Sequence, residues 1–150
     1  MPSDFTTDRS RLCFPVLAPL YSGLAGLSWL LMRVVAGVSL AVHGWPKILA
    51  PFRNVGMVES LGFVPGVLWS PLLAGTEFFG GILLAIGLLT RPAAVGATIV
   101  LCVTAHFHWV VQSQGFAGAE KSLLWGTITL FFAIRGGGFL SVDGMMRKEI

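Results

Sequence analysis

LAGLSWLLMRVVAGVSLAVHGWPK, residues 24–47, decides what kind of chain this is. Between Leu24 and Val42 the only full charge is Arg33, and about 20 apolar residues are what an α-helix needs to cross a bilayer core. His43-Gly44-Trp45-Pro46-Lys47 then ends the run with residue types that suit either a membrane boundary or the wall of a binding site.

Three more stretches of this kind follow, at about 68–89, 93–112 and 120–135. The breaks between them carry Pro46, Pro51, Pro65, Arg91-Pro92, Gly115, Gly118 and the triplet Gly136 to Gly138, all good helix stops. No alternating pattern of a strand occurs. The composition agrees: 55% of the 150 residues are hydrophobic and 11% charged, against about a quarter charged in soluble domains, and the mean hydropathy is +0.81. The expected fold is therefore all-α, an integral membrane four-helix bundle at residues 23–143, with tails at 1–22 and 144–150. The formal charge of +3 makes no basic stripe, so nucleic acid is not an expected partner.

Lysine and arginine collect on the cytoplasmic side of membrane proteins. Arg9, Arg11, Arg91, Arg135, Arg147 and Lys148 fall on one side of the four spans, and Lys47, Arg53 and Lys121 on the other, so both termini are expected in the cytoplasm. The longest loop, about 44–67, then faces outward, with Trp45, Trp69 and Trp109 near that boundary. Gly37 with Ala41, and Gly81 with Ala85, have the small-residue spacing of close helix packing. Cys13 and Cys102 show no metal-type or disulfide-framework spacing and read as small hydrophobes.

The ionisable residues within the spans are costly and need partners. Arg33 is placed near the midplane of span one and Glu77 at a similar height in span two, so an Arg33–Glu77 pair is expected. It would serve either as a structural ion pair or as the floor of a site. Gly80 and Gly81 share the helix face of Glu77 and leave room for a neighbouring helix or a flat ring. His43 lies at the outer end of span one, while His106 and His108 lie in the last third of span three. Two residues on a helix are about 200° apart, so one of these two histidines faces inward and the other does not. Glu120 and Lys121 open span four on the same side. Histidine and buried carboxyl groups can move protons near neutral pH, which suits a quinone oxygen. A metal site ranks lower because no Glu-x-x-His pairing occurs.

These residues also resemble the DoxX family of small four-helix membrane proteins. The likeness covers about residues 28–143: Arg33 and Gly37, HGWPK at 43–47, EFFGG at 77–81, GLLTR at 87–91, His108-Trp109, Gly115-Phe116 and GGGFLSVD at 136–143. Where the family often has Gly-x-Glu-Tyr before the fourth helix, this chain has Gly118-Ala119-Glu120-Lys121, and His106 is an additional histidine. The resemblance implies quinone-linked redox chemistry at the bacterial inner membrane. With no haem, flavin or iron–sulfur signature, electrons are expected from a partner subunit or directly from a substrate.

The resulting expectation is a membrane subunit that binds ubiquinone, menaquinone or a similar lipophilic molecule, working with a partner redox subunit or as a homo-oligomer. His43, His108 and Glu120 are the expected proton-transfer residues. Arg33, Lys47, Glu77, Gly80, Gly81 and His106 are the expected ligand-binding set, and no metal ligands are expected. The alternatives are a non-catalytic anchor for another protein and a metal-handling protein.

Overall fold

The computed structural model describes residues 8–146, so Arg147, Lys148 and the ends of both tails lie outside the described residues. Two short 3₁₀ turns, Arg9–Arg11 and Pro15–Leu17, precede the helices. The helices are α1 Ala18–Leu49, α2 Val55–Ser60, α3 Gly66–Ile86, α4 Thr90–His106, α5 Gly115–Arg135 and α6 Val142–Met146. A π-helical turn, Phe107–Val111, extends α4. No strand occurs among the described residues.

Three segments are long and apolar enough to cross a membrane: Pro15–Leu49, Gly66–Ile86 and Thr90–Val111. The fourth long helix, α5, has the 21 residues of α3. α1 packs along α3 and α4 along α5, with α3–α4 and α1–α5 contacts completing the set. The core is built of alanine, leucine and one phenylalanine side chain, Ala36, Leu40, Leu84, Ala94, Ala97, Leu101 and Phe132. Large apolar side chains such as Leu31, Val35 and Val42 point outward, as they do where lipid is the solvent. Within the bundle the Thr98 hydroxyl donates to Thr129 Oγ1 at 2.9 Å, a polar link between α4 and α5.

α1 departs from the expected span at both ends. It begins at Ala18 rather than near 24, and it continues through Pro46 to Leu49 instead of breaking there. A proline this close to a helix end removes one backbone hydrogen bond and leaves the last turn intact. Keeping that turn helical puts Lys47 four residues after His43, on the same face.

Glycine sets the register of α1 against α3. A Cβ on Gly81 would lie 2.5 Å from Ala41 N, one on Gly44 2.5 Å from Phe78 N, and one on Gly37 2.6 Å from Gly81 O. The two backbones touch, and nothing larger than hydrogen fits at these points. Gly81 therefore packs a helix rather than making room for a ligand. Gly80 faces α4 instead, where a Cβ would lie 3.9 Å from Ala93 O.

This register overturns the expected Arg33–Glu77 pair. Glu77 lies beside Gly44, which is about 16 Å along α1 from Arg33 at 1.5 Å per residue. Arg33, only 1% exposed, belongs to the other end of the molecule. Its guanidinium donates to Gly137 O at 2.5 Å and Leu140 O at 2.7 Å, with the Asp143 carboxylate close enough to interact electrostatically. The segment after α5 turns back at Gly136 and Gly138, both with φ of +75°, and so brings its carbonyls over this buried charge. Gly87 ends α3 with φ +75°, and a Cβ there would lie 2.6 Å from Arg33 Nη1.

Asp143 completes the same end. Its carboxylate accepts from the Leu89 N–H at 2.9 Å, the Thr90 N–H at 2.9 Å and the Thr90 hydroxyl at 2.7 Å. These bonds satisfy donors at the start of α4 that have no partner within that helix. Burial alone raises the Asp143 carboxyl. The Thr90 and Leu89 hydrogen bonds and the Arg33 charge outweigh it and hold the group below the usual aspartate value.

Candidate functional site

At the opposite end, where α1 finishes and α5 begins, a cavity of about 370 Å³ lies between α1, α3, α4 and α5. Each helix contributes polar groups for a local reason. α1 supplies His43 and Lys47 at i and i+4, with Leu40 below them. From the middle of α3 comes Glu77. α4 gives Leu101 and Thr104, and its π-helical extension gives His108; such widened turns are frequent at functional sites. The first turns of α5 supply Ala117, Gly118, Lys121, Ser122 and Trp125, spaced to share one helix face.

The strongest polar contact in this cavity is between Lys47 and Glu77. Lys47 Nζ donates to Glu77 Oε1 at 2.6 Å and to Oε2 at 2.5 Å, and the carboxylate side chain is 6% exposed against 29% for the lysine. The carboxylate that the sequence suggests would neutralise Arg33 instead neutralises Lys47. His43 stands edge-on to Trp125, ring centroids 5.3 Å apart. His108 Nδ1 is 3.1 Å from Gln114 Oε1, and Gln114 Nε2 donates to Gln112 Oε1 at 2.9 Å, so a side-chain chain fixes the imidazole from the loop side.

Of the expected residues, His43, Lys47, Glu77 and His108 meet at this cavity. His106 is exposed on the other side of its helix, so His108 is the inward one of the pair. Glu120 is also exposed and does not line the cavity; one residue is about 100° of rotation, and Lys121, itself exposed, takes the position at the cavity wall. Arg33 lies at the far end, Gly81 in the α1–α3 contact and Gly80 against α4, so none of these three forms a wall of the cavity. The sequence pattern marks Lys121 only as the opening of a span and gives Thr104, Ser122 and Trp125 no role. The i, i+1, i+4, i+5 spacing of Ala117, Gly118, Lys121 and Ser122 is the signal that finds that face once α5 is known to begin at Gly115. Among the described residues no group of three or more His, Cys, Asp or Glu side chains could hold a metal ion.

Comparison with known proteins agrees with a membrane location. The DoxX family model matches residues 28–112. "Inner membrane protein YqjF" of Escherichia coli is 32% identical over 127 residues, covering 80% of this chain and 92% of the relative. "Putative oxidoreductase CatD" of Bacillus subtilis is 29% identical, covering 79% of this chain and 87% of the relative. "Inner membrane protein YphA" of Escherichia coli is 26% identical, covering 76% and 86%. No solved structure matches. With its apolar spanning helices and these relatives, the chain is a multi-pass inner-membrane protein and belongs to the DoxX family.

Proposed function

We propose that the cavity binds the ring of a quinone or a similar small lipophilic molecule, and that the protein is the membrane subunit of a quinone-linked redox complex. One observation carries this reading: a cavity of about 370 Å³ in which His43, Lys47, Glu77 and His108 converge from three elements. That volume lies within the range of small-ligand sites, and the mixture of apolar walls with a few convergent polar groups suits a flat ring bearing two oxygens. His43 and His108 would hold the ring oxygens and exchange protons with them, while Trp125 and Leu101 exclude water. Glu77, tied to Lys47, fixes the lysine against the cavity wall. A bound quinone would supply the two-electron chemistry that the side chains lack, with electrons from a partner subunit. The relative named as an oxidoreductase supports this reading.

The proposal extends to topology. α5 equals α3 in length and packs against α4 and α1, which supports a fourth membrane span. Arg91 and Arg135 stand at the end that holds Arg33, Lys47 and Lys121 at the end that holds the cavity, which favours cytoplasmic termini and a cavity in the outer half.

Equilibrium dialysis of the purified protein with a short-chain ubiquinone analogue and with menadione tests the reading. Wild type is expected to bind at least one, and His43→Ala and His108→Ala to bind about tenfold more weakly or worse, a loss of about 1.4 kcal/mol. No binding by wild type, or unchanged binding by both variants, overturns it and leaves the anchor reading.

A further inference from the structure

The charges around the cavity do not balance. Lys47 and Glu77 cancel, each carboxylate oxygen being bound to the same ammonium. His43 and His108 add no negative charge. Lys121 remains, and among the described residues it faces the cavity with no hydrogen bond or carboxylate partner of its own. Glu120, its chain neighbour, is exposed and does not line the cavity.

The wall that carries Lys121 is itself positive. It is the first two turns of α5, whose preceding residue Gln114 makes no side-chain cap, while Ala117 and Gly118 line the cavity. The N-terminal end of a helix carries about half a positive charge. Here it adds to a lysine on the same wall and does not stand alone. A neutral ring gains nothing from the Lys121 ammonium at the mouth, whereas a ring bearing one ionised oxygen gains a counter-charge there.

We propose that this cavity prefers a ring ligand bearing one ionised oxygen, placed facing Lys121, over the neutral form of the same ring. The proposal rests on the ring-binding reading above and adds to it the charge state and the counter-charge. Lys121 is a binding residue that sets specificity, distinct from the proton-exchanging histidines. Because it is exposed and outside the core, its replacement spares the fold.

4-Nitrophenol, whose phenolate absorbs in the visible, and 4-nitroanisole, the same ring without an ionisable oxygen, test the idea in nonionic detergent with a protein-free detergent blank. Wild type is expected to favour nitrophenolate over nitrophenol by about tenfold, lowering the apparent pKa of the bound phenol by about one, and to bind nitroanisole no better than nitrophenol. Lys121→Met should abolish this preference, Lys121→Arg should keep it, and Arg53→Met, a cation on the loop outside the cavity, should leave it unchanged. Equal binding of nitroanisole and nitrophenolate, or a preference that survives in Lys121→Met, overturns the proposal. If neither nitro compound binds but the ubiquinone analogue does, the anion proposal fails and ring binding stands. If none of the three binds, both fail.

Discussion

Replacing Lys47 by methionine leaves the Glu77 carboxylate without its counter-charge in the middle of α3, and the structure fixes how much that should cost. At 2.6 Å and an effective dielectric of about 20, the Coulomb attraction is about 6 kcal/mol. Desolvation of the two ions cancels several kcal/mol of this. Breaking a buried pair from one side costs about 3–5 kcal/mol, and because Lys47 is 29% exposed the expected loss lies at the lower end, about 3 kcal/mol. Removing both charges, as in Lys47→Met/Glu77→Leu, should recover most of that loss, since an apolar pair of similar volume needs no compensation. Glu77→Gln alone should cost less than Lys47→Met, because a lysine near the cavity mouth can turn toward water and the buried carboxylate cannot. The assay is unfolding of the purified protein in mixed micelles of dodecyl maltoside and increasing dodecyl sulfate, followed by tryptophan fluorescence. A Lys47→Met protein as stable as wild type, or a double variant whose loss equals the sum of the single losses, refutes the reasoning.

Other perturbations separate the two ends of the molecule. Asp143 is held below its usual value, so its contribution to stability is present above the unfolded aspartate value of about 3.9 and is lost as pH falls through the lower folded value. Thermal unfolding from pH 7 to pH 3 should therefore show a wild-type loss at acid pH that Asp143→Asn lacks, with Asp143→Asn about 1–3 kcal/mol less stable at neutral pH. Gly44→Val should destabilise by about 1–3 kcal/mol or more, because its Cβ would lie 2.5 Å from Phe78 N, whereas Gly23→Ala, with nothing within 4 Å, should not; thermal unfolding in detergent compares them. His108→Ala should weaken quinone-analogue binding and His106→Ala should leave it unchanged, as the two imidazoles lie on opposite sides of one helix; equilibrium dialysis reads both.

Much of the polar design is legible residue by residue, and most of the differences between sequence and structure concern pairing. Arg33 is costly wherever it is buried, and the sequence correctly demands a partner for it. Two carboxylates could supply that partner, and choosing between them needs the α1–α3 register. That register depends on which glycines touch, a property of two surfaces that neither helix specifies alone. The role of Asp143 as a cap on α4 joins residues 53 positions apart, and no local pattern announces a cap delivered from such a distance. Glu120 misleads for a different reason. Packing against α1 and α4 decides the rotational phase of α5, and a start near 120 instead of Gly115 leaves out Ala117 and Gly118, the first residues of the face that Lys121, Ser122 and Trp125 share.

The sequence by itself determined that this chain is helical and lives in a membrane, because run length and apolar content leave no other way to satisfy the backbone in lipid. It also determined which residues need partners, since taking any ionised side chain out of water carries a desolvation cost before a partner is found. Only the tertiary structure decided which groups meet: Lys47 with Glu77, Arg33 with the GGGFLSVD turn, His108 rather than His106 with the cavity. Those choices follow from helix register and phase, and both are fixed by contacts between surfaces far apart in the chain.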